Sequence, residues 1–390
     1  MAHQAAVEEA SRTNIASGEF DLAFADRSYY TSQPLFEAEQ DKVFARTWQF
    51  AGHASEVAEP GSFKRAKIAG QPLLVVRGED GGIRAFFNTC RHRGAIVETR
   101  ETGQCGGSFQ CLYHHWRYDT LGQLRAVPMP DGYGDWFRRE DYPLVQVPRC
   151  ETFFGLIFVS LDPAAAPLEE FLGAMKPHLA KQYSTSGSPW EMLATYSYRF
   201  KANWKLFVEN SVEGYHAPFL HQLAMRQLAG GFSIEGRALD LGIHGMIDWA
   251  DTKENIEHDV RVQTHLLVFP NFLSLYHGER DVLAIRQVLP EAVGATTVRF
   301  YSLVRHDTPK EARDQVLSHF NLFWGPGGRN GADDALTMEL MQEGLAAKVD
   351  AKVLVARGLD KSPVSDYYDE QPLRAFWRGW RKLMFSETNS

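Results

Sequence analysis

Two short hooks, Cys90-Arg91-His92 and Cys111-Leu112-Tyr113-His114, constrain this chain more than any other stretch. Each carries one thiol and one imidazole, and eighteen residues, 93 to 110, lie between His92 and Cys111. That gap is long enough for two hairpin-like loops to converge on one metal site. Two sulfurs and two nitrogens suit either a tetrahedral zinc ion or a [2Fe–2S] cluster of mixed ligation. Zinc modules group their ligands as a Cys-Cys knuckle followed by a His-His pair. One Cys and one His per hook is the order expected when two Cys hold one iron and two His hold the other.

The wider pattern, Cys90-x-His92-Arg93-Gly94 and then Cys111-x-Tyr113-His114-x-Trp116, resembles the Rieske motif. Respiratory-type Rieske proteins carry an extra, disulfide-forming Cys in each hook and a serine just after the second. This chain has Arg93-Gly94-Ala95, Tyr113 and His115-Trp116 at those places. Fewer hydrogen bonds to the cluster sulfurs favour a lower reduction potential. The hooks look like those of ring-hydroxylating oxygenases, whose commonest form has Gly where this chain has His115. His115 is therefore read as a packed or solvent-facing departure beside a ligand.

Composition bounds the rest. At 390 residues, 44% hydrophobic and 23% charged, the chain is long enough for two domains with separate cores. A net charge of −8 argues against a general nucleic-acid binder. No apolar run approaches the roughly 18 residues of a membrane span, and the start Met1-Ala2-His3-Gln4 shows no secretory leader, so a cytoplasmic protein is expected. Of four cysteines, Cys105 and Cys150 are left over, and in a reducing compartment they need not pair. Cys105 is not expected to be a third thiolate ligand.

Read in order, residues 1–44 form a polar lead-in with a helix after Pro34, placing Leu35, Phe36, Val43 and Phe44 on one side and ending near Thr47. Residues 45–161 read as a small antiparallel β domain. Leu73–Val76 runs into a turn at 79–82, Ile83–Phe87 returns, Gly106-Gly107 turns towards the second hook, and Phe154–Val159 continues the pattern. Residues 162–173 are the linker, with Pro163 and Pro167 around small residues and then a short helix. Residues 174–390 form a second domain. Its strands are expected at 262–268, 272–276, 282–288 and 296–304, with helices at 333–355 and 372–384. The last puts Leu373, Phe376, Trp377, Trp380 and Leu383 on an apolar face edged by Arg374, Arg378, Arg381 and Lys382, read as solvated charge.

A second constellation lies in the stretch 203–221. His216 and His221 stand five apart, so on a straight helix they would differ in direction by roughly 140°. Pro218 between them is expected to break or kink the helix and let both rings converge. The stretch resembles the iron-binding segment of Rieske oxygenases: Asn203-Trp204-Lys205, then Asn210, Glu213, Tyr215-His216 and His221. The resemblance implies that His216 and His221 bind a mononuclear iron(II). The carboxylate ligand would come from the Trp324–Asp334 segment, with Asp334 preferred over Asp333; paired acids at a helix start are otherwise often only caps and dipole partners. It gives Glu213, where the family most often has Asp, the role of inter-subunit electron-transfer bridge between two metal-bound imidazoles. It places Asn210 near the iron and Gln263, His265, Leu275 and Trp324 around a substrate pocket.

The resemblance covers residues 30–385 and implies an α+β fold: a β-rich Rieske domain and a catalytic domain of antiparallel sheet packed with helices, of helix-grip or START-like type. It implies the terminal oxygenase (alpha) component of a multicomponent system. That component inserts oxygen from O2 into an aromatic substrate by ring cis-dihydroxylation or hydroxylation. The residue after His114 tips the substrate towards an aromatic carboxylate. No flavin or nicotinamide fingerprint is present, so electrons from NAD(P)H must come through a flavin reductase or ferredoxin on other chains. Transfer between neighbouring subunits implies a homotrimer or an α3β3 assembly with a small beta subunit. The same iron supports mono-oxygenation or demethylation of a non-aromatic or quaternary-amine substrate. Non-catalytic electron carriage and a zinc-binding regulatory protein are the remaining readings.

Overall fold

The run Leu73–Val76 lies inside strand β2 (Gln71–Arg77), which follows β1 (Ser62–Ile68) and returns as β3 (Ile83–Phe87), with Leu73 opposite Phe87 and Val75 opposite Ala85. In this computed structural model, residues 22–184, 187–222, 235–250, 262–278, 281–325 and 327–386 are described. Residues 1–21 of the lead-in and Pro326 of the segment leading to Asp334 lie outside them. The chain divides into two compact units, one from Phe44 to Phe171 and the other from the residues up to Val43 together with those from Leu172 onward.

In the first unit, among the described residues, β4 (Thr102–Gln104) completes a four-stranded antiparallel sheet in the order β3-β2-β1-β4. A three-stranded sheet follows, β5 (Ser108–Gln110), β6 (Arg117–Asp119) and β7 (Leu124–Ala126). A third sheet joins Gln49–His53, Arg149–Phe153 and Leu156–Ser160. Cys90 and Cys111 sit in one buried cluster with Phe63, Phe86, Trp116 and Tyr118, so the hooks grow out of the core and are anchored at their cysteines.

The second unit is built on an antiparallel sheet that has eight strands among the described residues. Its strands are β8 (Trp190–Phe200), β9 (Glu235–Leu241), β10 (His244–Ala250), β11 (Gln263–Val268), β12 (Phe272–His277), β13 (Val282–Ala292), β14 (Ala295–Arg305) and β15 (Val364–Asp366). Their order is β8-β14-β13-β12-β11-β10-β9-β15. Helix α1 (Trp204–Ser211) packs on β13, and one turn further on comes α2 (Ala217–Leu220). Then follow α3 (Lys310–Trp324) against β14, α4 (Gly331–Leu345), and α5 (Gln371–Phe385) against β9 and β10. The expected α+β architecture is borne out.

Two buried acids lock these helices together. Glu39, at the end of the helix Gln33–Glu39, accepts from Trp204 Nε1 at 2.7 Å and Trp380 Nε1 at 2.8 Å and pairs with Lys205. Glu209 accepts from Tyr30 Oη at 2.7 Å and Trp377 Nε1 at 2.8 Å. Each fully buried side chain of α5, such as Phe376 and Trp380, contributes roughly 1.5–3 kcal/mol through lost contact with water.

The lead-in helix finishes with a π-helical turn, Gln40–Phe44, close to the expected end near Thr47. Three local expectations need correction. The helix expected over 333–355 stops at Leu345, because Val353–Leu354 pairs as a short strand with Phe24–Ala25. Pro218 does not break a helix but opens α2, in the first turn, where its missing N–H costs nothing. Only part of the basic edge of α5 is solvated: Lys382 is exposed, but Arg374 and Arg381 are buried, and Arg374 caps the carbonyls of Arg357 and Gly358 at 2.9 and 3.1 Å. Arg378 pairs with Asp240 at 2.8 Å.

Two candidate metal centres

The hooks have matching backbones. Cys90 N–H donates to Ala95 O at 2.8 Å and Gly94 N–H to Cys90 O at 2.9 Å; Cys111 N–H donates to Trp116 O and His115 N–H to Cys111 O, both at 2.9 Å. The fifth position of each hook is left-handed, with φ +72° at Gly94 and +56° at His115. Glycine is the default residue for that conformation. His115 is exposed, so its ring faces solvent while its backbone takes the strained turn.

The four side chains converge. Cys90 and Cys111 are buried, the His92 and His114 rings lie 4.5 Å apart, and His92 stacks on Trp116 at 4.9 Å. His92 Nδ1 is buried with no hydrogen-bond partner among the described residues, as expected of a nitrogen meant for a metal. Burial, then His114 and Arg93, hold His92 below its ordinary pKa, in the neutral form that ligates. Two thiols and two imidazoles so placed fit a [2Fe–2S] cluster. Sequence reasoning missed Tyr118, whose hydroxyl lies 3.3 Å from Cys90 Sγ and accepts the Arg91 amide at 3.1 Å. Burial raises its pKa far above the usual range, so it keeps its proton, and it supplies a hydrogen bond that the comparison with respiratory proteins did not anticipate.

In the second unit, α1 ends at Ser211 and the chain turns before α2, so His216 is the N-cap and His221 the C-cap of a single turn. This answers the five-residue spacing: the rings reach round a short helix from its two ends. Their centroids are 5.2 Å apart. Asp334, in the first turn of α4, points inward and is buried; its Oδ1 lies 3.1 Å from His221 Nε2 and 3.7 Å from His216 Nε2. One ligand atom from each of the three falls within 4.8 Å of the others. The Asp333 side chain is 50% exposed and its nearest His221 nitrogen is 3.8 Å away, which separates the two acids.

Hydrogen bonds hold these ligands in place. Glu213 Oε1 pairs with His216 Nδ1, and its Oε2 accepts the His216 amide at 3.1 Å. Asn210 Nδ2 donates to Asp334 Oδ1 at 3.1 Å. Burial works to lower the His216 pKa, but Glu213 and Asp334 outweigh it and hold it above its ordinary value. Burial works to raise Asp334, but the His221 and His216 rings and Asn210 hold it below. Two imidazoles and one carboxylate fit the facial set of a non-haem iron(II).

The three residues open on a cavity of about 200 Å³ that Asn210, Gln263, His265 and Trp324 help to line. His265 Nδ1 donates to Ser211 O at 3.0 Å and its Nε2 accepts from Gln263; burial, then Arg286, keep its pKa well below the usual value, so it is neutral. Leu275, the register partner of His265, packs with Phe320 and Trp324 and is not among the residues that line the cavity. The sequence reading passed over His277, Arg286 and His319, which also line the cavity. For Arg286 a signal was present: a lone charge inside the apolar run Val282–Val288.

Two family models match the chain, "Rieske [2Fe-2S] domain" over residues 47–147 and "Ring hydroxylating alpha subunit (catalytic domain)" over 188–386. The 2-aminobenzenesulfonate 2,3-dioxygenase subunit alpha of Alcaligenes sp. is 29% identical, covering 99% of both chains. The anthranilate 1,2-dioxygenase large subunit of Burkholderia cepacia is 27% identical, covering 91% of this chain and 92% of its own. Among solved structures, naphthalene 1,2-dioxygenase with indole bound in the active site superposes with a TM-score of 0.83 at 26% identity, covering 93% of this chain and 92% of the other.

Proposed function

The chain belongs to the ring-hydroxylating alpha-subunit family of Rieske non-haem iron oxygenases, and from that premise we propose that it is a terminal oxygenase for a single-ring aromatic acid. It is an oxidoreductase with two cofactors, a [2Fe–2S] cluster and a mononuclear iron(II). Cys90, His92, Cys111 and His114 would hold the first, and His216, His221 and Asp334 the second. When bound, the cluster supplies single electrons and the mononuclear iron supplies oxygen activation. The observation that carries the reading is the convergence of His216, His221 and Asp334 at the cavity mouth.

The protein's own residues set the conditions for that chemistry. Glu213 accepts the hydrogen bond of His216 Nδ1–H and so leaves the Nε2 lone pair free for the metal position. Asn210 fixes one oxygen of Asp334. A cavity volume near 200 Å³ suits one substituted ring, since a cavity of about 150 Å³ accepts benzene. The two relatives compared by sequence above are named for substituted benzenes that carry an oxyanion, which supports the aromatic-acid assignment.

Electrons would come from NAD(P)H through a reductase and a ferredoxin, reaching the iron by way of Glu213 from a neighbouring copy in a trimer or α3β3 assembly. Supporting this, exposed Tyr215, Phe219 and Leu354 frame a depression that Glu213 lines. Among the described residues no helix is long and apolar enough to cross a membrane, and we assign the protein to the cytoplasm. We set the functional boundaries at 45–161 and 174–390, joined by 162–173.

The test is iron and acid-labile sulfide per chain in anaerobically purified wild type and His221→Ala. Roughly three irons and two sulfides, falling to two irons with the visible spectrum kept, is the expected result. Two irons in both proteins would leave an electron carrier, and colourless, iron-free protein a zinc site.

A further inference from the structure

We propose that Arg286, together with the indole N–H of Trp324 beside it, is the oxyanion anchor of the cavity, so that the protein selects arenes bearing a carboxylate or sulfonate. The proposal rests on the aromatic-oxygenase reading above and names the residues that would set its substrate class.

Arg286 lies in β13 two residues from Ala284, whose register partner Leu275 pairs with His265, so it faces the same side of the sheet as the cavity-lining His265. It is 3% exposed, and its Nε and Nη2 have no hydrogen-bond partner among the described residues. No carboxylate makes a salt bridge with it there. What surrounds the guanidinium instead is aromatic, with the Phe207 and Trp324 rings each 5.6 Å away. Stacking of this kind offsets only part of the cost of burying a cation.

Trp324 shows the same deficit. Its Nε1 is buried, without a partner among the described residues, and on the wall of the same cavity. An indole N–H can only donate. Two adjacent groups that can only donate, both unsatisfied among the described residues and both on one cavity, call for an acceptor from the ligand, and a planar guanidinium matches the two oxygens of a carboxylate or two of the three of a sulfonate. Among the described residues, the one carboxylate whose charge Arg286 feels is Asp334. Asp334 is already committed to the two histidines, and iron would claim it further. Burial lowers the Arg286 pKa to about 10, which leaves it a cation at neutral pH. A quaternary ammonium substrate would meet like charge in this cavity, which disfavours the amine-oxidising alternative.

The experiment uses the metal-loaded holoenzyme and calorimetric titration with benzoate, benzenesulfonate, benzamide and toluene as probes. Wild type is expected to bind both oxyanions at least ten-fold more tightly than benzamide. Arg286→Gln should lose about 10–100-fold for both oxyanions and leave toluene binding and iron content unchanged; Arg286→Lys should recover part of the loss. Trp324→Phe, which keeps a ring but removes the N–H, should lose about 3–10-fold for the oxyanions alone.

Equal binding of benzoate and benzamide by wild type overturns the anchor without any variant, and so holds even if Arg286→Gln does not fold. Parallel loss of toluene, benzoate and iron in Arg286→Gln assigns the residue a structural role and also overturns it. Wild type that binds toluene but no oxyanion sinks the anchor and leaves the oxygenase reading standing, whereas wild type that binds none of the four arenes sinks the aromatic reading itself.

Discussion

Glu209→Gln should make the catalytic unit more stable at neutral and alkaline pH and remove a pH dependence that the wild type carries. Glu209 is buried in α1 and accepts both of its hydrogen bonds, from Tyr30 and Trp377, on the same oxygen, Oε1. Burial raises its pKa from 4.5 to about 7, with the two hydrogen bonds and Lys205 opposing and Glu370 adding to the rise. Below the unfolded value both states are protonated and the group costs nothing. Between pH 4.5 and 7 the unfolded chain ionises while the folded one stays neutral, so stability falls as pH rises. Above pH 7 the loss levels off at about 3 kcal/mol, each pKa unit being worth about 1.4 kcal/mol. A glutamine offers the same acceptor oxygen without a charge. Calorimetric melting of wild type and Glu209→Gln from pH 5 to 8.5 should show the variant gaining roughly 6 °C on the wild type across that range. Parallel melting curves at all pH values, or a variant less stable throughout, would refute the argument by showing that Glu209 is ionised in the fold and that its charge is stabilising.

Three further outcomes follow from single positions. A Cβ at Gly214 would lie 2.0 Å from Cε1 of buried Tyr367, so Gly214→Ala should displace the Glu213–His216 loop, destabilise by about 1–3 kcal/mol and lower mononuclear iron content with the cluster spectrum kept. Lys205→Met leaves Glu39 as a buried charge without its cation and should cost about 3–5 kcal/mol, read as a fall in the melting temperature. His115→Gly relaxes a left-handed residue and should stabilise the Rieske unit by about 0.5–1 kcal/mol, measured by thermal loss of its visible absorption.

Much of the site was legible because its chemistry is written in short spacings. Cys90 and His92 are two apart, Cys111 and His114 three, Glu213 and His216 three, and each group is held by hydrogen bonds within its own loop. The Val282–Val288 strand and the α5 helix were likewise visible as local patterns. The solvated reading of Arg374 and Arg381 failed for a different reason. A helical wheel shows which residues flank an apolar face but not which distant carbonyls will need donors, and those of Arg357 and Gly358 did.

By itself the sequence determined the donor types, the order of the two metal motifs and the class of fold, since these depend on residue chemistry and on periodicities of a few residues. For Asp334 over Asp333 the sequence offered only a resemblance, and the tertiary structure supplies the physical reason. Both acids open α4, and what turns one towards histidines more than a hundred residues earlier is the packing of that helix. Only the tertiary structure decided that Tyr118 reaches Cys90, that His115 sits in a left-handed turn, and that Arg286 is left, among the described residues, with unsatisfied nitrogens beside the cavity. Hydrogen-bond satisfaction and burial depend on what the rest of the chain brings to a position, and no local spacing encodes that.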